Sequence, residues 1–131
     1  MAKITAEMKE MLEKQQSFVA TADIEGVPNI GPKGSTAVLD DETLAFAEIV
    51  GKKTFENIKV NPKVAVAVVD RGTFSGYRFV GTASMETSGP FFDIFWGKLK
   101  TMGIPNMLAL VKVKVEEIYD ISVKNPGGKI E

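Results

Sequence analysis

The sequence predicts a mainly β domain, a small antiparallel barrel of six to seven strands decorated by three short helices. Three observations carry this expectation. Short runs rich in Val, Ile, Thr and Phe follow one another through tight turns at Glu25-Gly26-Val27-Pro28, Asp40-Asp41 and Asp70-Arg71-Gly72. These runs do not alternate with long helices, which argues against a doubly wound parallel sheet. Finally, 131 residues, 44% of them hydrophobic, fit one domain with a real core.

The first element is a helix near residues 4–15. Ile4, Met8, Met11 and Leu12 fall at helical spacing, Glu7, Glu10 and Lys14 occupy other faces, and Thr5 suits a cap. Residues 17–24 read as a strand. After the turn at Glu25–Pro28, Asn29 starts a second strand, so the pair reads as a hairpin. Gly31-Pro32-Lys33-Gly34 interrupts that second strand, and Pro32 implies an edge or a bulge because it donates nothing to a ladder. Residues 35–39 resume it, and residues 43–49 form a third strand.

A short helix follows over residues 54–60, with Phe55 and Ile58 inward and Asn61-Pro62 as its stop. Residues 63–69 are almost continuously apolar, which suits a central strand, either covered on both faces or part of a barrel. Residues 77–86 make another strand, with a bend expected at Gly81. Ser88-Gly89-Pro90 opens a third helix with Pro90 in its first turn. Phe91, Phe92, Ile94, Phe95, Trp96, Leu99 and Met102 make this helix apolar nearly all round, which predicts burial in a core or a subunit interface. A last strand runs from Met107 to about Ile121, and Lys124-Asn125-Pro126-Gly127-Gly128 reads as a turn or frayed end.

Composition excludes several chemistries. The chain has no cysteine and no histidine. Disulfides, thiolate metal sites and a cysteine nucleophile are therefore absent, and so are the commonest metal ligand and the usual general base near neutral pH. The lack of cysteine fits a cytoplasmic setting. A net charge of -1 provides no general attraction for nucleic acid. No apolar run approaches the roughly 20 residues of a membrane span, and the N-terminal residues show no apolar signal region. The aspartates at positions 23, 40, 41, 70 and 93 sit at turns and helix starts without metal-ligand spacing.

The most informative stretch is Gly51-Lys52-Lys53-Thr54, ahead of the short helix. It places two ammonium groups, a hydroxyl and the free N–H groups of a helix start around one point, an arrangement suited to a phosphate. Glycine at position 51 would let the backbone come close. The bland alternative is a solvated loop with Thr54 as a helix cap. Gly31-Pro32-Lys33-Gly34-Ser35-Thr36 does not have the spacing or the strand–loop–long-helix setting of a nucleotide-triphosphate loop. Tyr77 and Arg78 stand at a strand start.

Four segments together resemble the FMN-binding split barrel, the family of pyridoxamine 5'-phosphate oxidase-like flavoproteins and small FMN-binding proteins. They are Thr21–Asn29 after the first helix, Gly31–Ser35, Ala47–Thr54 leading through Asn57 to Asn61-Pro62-Lys63-Val64-Ala65, and Phe79–Ala83. The Lys-Lys-Thr to Asn-Pro segment is the specific part, and the match spans residues 4–85. The resemblance implies a Greek-key split barrel that binds FMN at the interface of a homodimer. It implies that Lys52, Lys53 and Thr54 hold the phosphate, with Asn57 supporting their loop. Pro32, Lys33, Gly34 and Ser35 would line the ring or the phosphate side. Glu48, Ile49, Val50 and Gly51 would lie against the flavin along the third strand. Trp96 and the Phe91–Phe95 cluster of the third helix are candidates for a flavin-stacking or dimer surface, with core packing as the bland alternative, and Trp96 is the candidate to reach across to the partner's flavin.

The chain departs from the pyridoxamine phosphate oxidases themselves, being shorter and lacking the Arg/His set those enzymes use on their substrate's phosphate. The implied function is an FMN-dependent oxidoreductase or electron-transfer protein. Alternatives are a flavin store or sensor without turnover, and a split-barrel protein that binds the deazaflavin F420. Haem is disfavoured, since neither histidine nor cysteine is present for axial ligation.

Overall fold

The computed structural model describes residues 2–131. Its elements are α1 (Ala6–Lys14), β1 (Ser17–Ala22), β2 (Pro28–Pro32), β3 (Ala37–Asp40), β4 (Thr43–Glu48), α2 (Lys53–Val60), β5 (Lys63–Asp70), β6 (Ser75–Glu86), α3 (Pro90–Thr101), β7 (Ala109–Asp120) and β8 (Gly128–Lys129). The mainly β architecture expected from the sequence is therefore present. The tail is not frayed, because β8 pairs antiparallel with β7.

Seven strands form one antiparallel sheet in the order β2-β1-β5-β6-β7-β4-β3. β5, β6 and β7 are joined as a meander, and β4 lies beside β7, which is a Greek-key arrangement. β2 and β3 stand at opposite ends of this order, yet only the four residues Lys33–Thr36 connect them. Six inter-strand spacings would separate the edges of a flat sheet by about 29 Å. Five Cα steps reach at most about 18 Å. The sheet must therefore curl into a barrel with its split at this connection. This corrects the sequence reading of residues 29–39 as one interrupted strand. The break at Pro32 is where the chain leaves one edge and crosses to the other. Ser17 holds the crossing: its carbonyl accepts from the Lys33 N–H at 3.1 Å, and its Oγ lies 2.8 Å from Thr36 Oγ1.

The barrel interior is packed by Val19, Leu44, Phe46, Val66, Val68, Phe79, Val111, Val113 and Ile118. Met8 and Leu12 of α1 close one end, and Thr5 caps α1 by accepting from the Met8 N–H at 3.3 Å. β6 bends where its ladder with β7 slips between Val80 and Gly81. A side chain at Gly81 would collide with the Lys114 carbonyl, so the bend requires glycine there.

β4 is buried on both faces. Leu44 and Phe46 point into the barrel, while Ala45 and Ala47 join Leu110, Met107 and the α3 residues Phe95 and Leu99 in a second apolar cluster. β5 is a central barrel strand, as its apolar run allows, covered on its inner face. Val64, Val66 and Val68 are buried, but Ala65 and Ala67 are half-buried and Val69 is exposed. With Phe18, Ala20 and Val80 on the neighbouring strands, Ala65 and Ala67 form an outer face that also carries Arg78 opposite Ala67 and that no helix covers among the described residues.

Candidate functional site

Residues 49–52 join β4 to α2 and turn sharply at Gly51, whose φ is +68°. A Cβ there would lie 2.6 Å from Leu108 Cδ1, so both the conformation and the space call for glycine. Lys52 occupies the N-cap position of α2, and no side chain caps the helix. The first-turn N–H groups thus have no capping partner from the protein. Lys52 and Lys53 are exposed beside them. Lys52 makes no ion pair among the described residues, while the Lys53 ammonium lies 3.8 Å from the Asp23 carboxylate. The Val27 N–H, then that of Glu25 and the Lys53 charge, hold the Asp23 carboxyl below its ordinary range.

Thr54 is not the cap. The helix begins one residue earlier, and the Thr54 hydroxyl is buried against β2, accepting from Asn29 Nδ2 at 3.1 Å. Asn57, 1% exposed, donates through Nδ2 to Thr21 Oγ1 at 3.0 Å. These two contacts fasten α2 to the β1–β2 hairpin and fix where its free start points. Lys52 and Lys53 stand exposed beside this start, with Lys53 near the Asp23 carboxylate.

Beside this helix start lies a cleft of about 830 Å³. Its floor is Ala37, Leu39 and Ala47 of β3 and β4, one wall is the connection Pro32–Thr36, and Ile49 and Val50 form its edge toward α2. Its roof is α3, through Phe91, Ile94 and Lys98, with the C-capping Met102 beyond them and Phe95 and Leu99 also in the lining. Ser35 holds the wall to the floor, its Oγ accepting from the Ala47 N–H at 2.8 Å. Lys33 reaches inward, with its ammonium 2.8 Å from a Glu48 carboxylate oxygen and 5.5 Å from the Phe46 ring centroid. The side chains of Lys33 and Glu48 are 17% and 2% exposed.

The structure thus brings Pro32, Lys33, Gly34, Ser35, Ile49 and Val50 to one cleft, next to Gly51, Lys52 and Lys53. Glu48 does not line it; the carboxylate is turned inside as the counter-ion of Lys33. Trp96 does not line it either. It is half-buried against the second apolar cluster, with the Lys100 ammonium 5.8 Å from its ring. α3 is also not buried all round: Phe95 and Leu99 are buried, while Phe91, Ile94 and Met102 stand exposed over the cleft. The apolar members of this roof belong to the run whose surplus exceeds what one packed face needs, a signal legible in the sequence; Lys98 is the α3 lining residue that sequence reasoning missed. Among the described residues, no cluster of acids suits a metal ion, and no helix is long and apolar enough to cross a membrane.

The family model for pyridoxamine 5'-phosphate oxidase matches residues 4–122. The chain belongs to the pyridoxamine 5'-phosphate oxidase family. A relative within reach of this assignment is an uncharacterized protein of Methanocaldococcus jannaschii, 33% identical over 98% of this chain and 87% of that protein. The Group A Streptococcus protein HupZ is similar in structure, with a TM-score of 0.86 and 37% identity over 98% of this chain and 99% of that one. An FMN-binding protein from Syntrophomonas wolfei shares the fold at a TM-score of 0.77 and 19% identity, over 88% of this chain and 84% of that one.

Proposed function

We infer that this chain is an FMN-binding flavoprotein, acting in the cytoplasm as an oxidoreductase or electron-transfer protein. One observation carries the reading: an uncapped helix start with two exposed lysines follows directly on Ile49 and Val50, which line an apolar cleft. A near-dianionic phosphate suits the first, through Lys52, Lys53 and the N–H groups of α2. A flat ring suits the second, along Pro32–Ser35 and Ile49–Gly51. Thr54 and Asn57 serve indirectly, by holding the helix start in place. The flavin would supply the redox chemistry, and the protein would set its binding, access and electrostatics. Lys33 and Glu48 neutralise each other, so they add no net charge beside the ring.

The uncovered outer face of β1, β5 and β6 supports a homodimer. Phe18 is 41% exposed there, beside the small side chains of Ala20, Ala65 and Ala67, with Arg78 opposite Ala67. Small side chains on a flat sheet let a second sheet pack closely.

The deciding experiment is the absorbance spectrum of the protein purified without added cofactor, followed by mass identification of any released chromophore. Released FMN supports the reading. Lys52→Ala combined with Lys53→Ala should then weaken FMN binding by more than tenfold, on the scale of about 1.5–3 kcal/mol for each charge-assisted contact. Unchanged affinity would remove the phosphate from this helix start. Release of F420 instead would assign the lysines to its anionic tail.

A further inference from the structure

Among the described residues, Lys33 and Glu48 form the ion pair most withdrawn from water, and its two ends face differently. Lys33 lines the cleft, whereas Glu48 does not. Both Glu48 carboxylate oxygens hold the ammonium, at 2.8 and 3.4 Å. The pair thus presents a cation toward the cleft and keeps its anion in the interior. Holding the cleft wall in place does not account for it, because the backbone there is fixed by other bonds. The Lys33 N–H donates to the Ser17 carbonyl at 3.1 Å, and the Lys33 carbonyl accepts from Thr36 Oγ1 at 2.9 Å. Ser35 Oγ accepts from the Ala47 N–H at 2.8 Å. Glu48 is fixed by β4, opposite Ala109 of β7, and its carbonyl accepts from the Leu108 N–H at 2.8 Å. Net stability does not call for the pair either, since packed apolar residues of similar volume serve as well as a buried ion pair or better. What the pair adds is a balance of charge at the wall. The other charged residue in the lining is Lys98 on the roof.

We propose that the Lys33–Glu48 pair sets the reduction potential of the flavin. Glu48 is a positioning residue in this scheme: it holds the Lys33 ammonium at the cleft wall and cancels most of its field. The inference rests on the flavin reading given above. A flavin ring that takes up two electrons and one proton gains one negative charge. An unbalanced charge on the wall therefore acts on the reduced ring far more than on the oxidised one. An unpaired Lys33 ammonium favours the reduced form, and an unpaired Glu48 carboxylate disfavours it.

The test loads the full chain with FMN, equilibrates it against reference dyes at mildly alkaline pH, and reads the midpoint potential from the flavin absorbance. The affinity for oxidised FMN is measured alongside. Glu48→Gln should favour the reduced over the oxidised form by about tenfold, which for a two-electron couple is a potential about 30 mV more positive. Lys33→Met should move the potential the other way by a similar factor. Lys33→Met with Glu48→Leu keeps the wall neutral and should stay within about twofold of the parent. Glu48→Gln and the double variant decide the matter by themselves should Lys33→Met fail to fold. A loosened wall would weaken binding of oxidised and reduced flavin together and leave the potential where it was. An unmoved potential in Glu48→Gln, a shift to more negative values, or a double variant that shifts as far as Glu48→Gln would overturn the proposal. A parent chain that takes up no FMN removes the flavin reading and this inference with it. A parent that binds FMN while Glu48→Gln leaves its potential unmoved overturns this inference alone.

Discussion

Removing either member of the Lys33–Glu48 pair should destabilise the fold, but by unequal amounts. The ammonium and carboxylate are 2.8 Å apart, and their side-chain exposures differ, 17% for Lys33 against 2% for Glu48. In Lys33→Met the carboxylate stays in the interior with no counter-ion, a situation that costs about 3–5 kcal/mol. In Glu48→Gln the amide oxygen still accepts from Lys33, and the ammonium has a route to water. The expected loss there is about 1–2 kcal/mol. Replacing both, as Lys33→Met with Glu48→Leu, should return stability to within about 1 kcal/mol of the parent, because no buried charge remains. Urea unfolding at neutral pH measures all three, and unchanged m-values would show that the native and unfolded ensembles are comparable. Equal losses for the two single variants would refute the reasoning. So would a double variant as unstable as Lys33→Met, since that would place the cost in packing instead of in an orphaned charge.

Asn57→Ala should cost about 1–3 kcal/mol, because it removes the buried bond to Thr21 Oγ1 that ties α2 to β1; thermal unfolding reads this out. Asp40 and Asp120 both have folded-state pKa values below the ordinary range, through the backbone N–H of Glu42 and the hydroxyl and N–H of Ser122 respectively. A depressed carboxyl stabilises the fold above its unfolded value of about 3.9, and that contribution is lost as pH falls through the folded value. Urea midpoints should therefore fall below about pH 4, and fall less steeply in Asp40→Asn and Asp120→Asn. Ala67→Glu, on the uncovered face of β5, should yield a monomer in analytical ultracentrifugation with the secondary structure retained. A dimer that persists would move the interface elsewhere.

Much of this fold was legible in local sequence signals. Turn residues and alternating apolar positions located the strands, Pro32 marked an edge, Gly81 marked the bend, and Thr5 marked the start of α1. Such features depend on the conformational preferences of a residue and its immediate neighbours, so a linear reading recovers them. The lysines ahead of α2 were legible for the same reason, since charge and helix start are both local.

Tertiary structure decided the rest. Residues 29–39 have the appearance of one interrupted strand, but Pro32 and Ala37 end up at opposite edges of the sheet. What separates them is the pairing of β4 with β7, a contact between residues far apart in the chain. Glu48 has the look of a ligand-facing acid until the crossing loop delivers Lys33 to it from the other edge. Trp96 and Ile94 both read as apolar members of one helix. Only the docking of α3 on Ala45, Ala47 and Leu110 turned the first toward the core and left the second over the cleft. Periodicity reports that a face is apolar. Which surface that face meets is fixed by the packing of distant segments, and that is why the sequence could mark α3 as unusually apolar but not place it over the cleft.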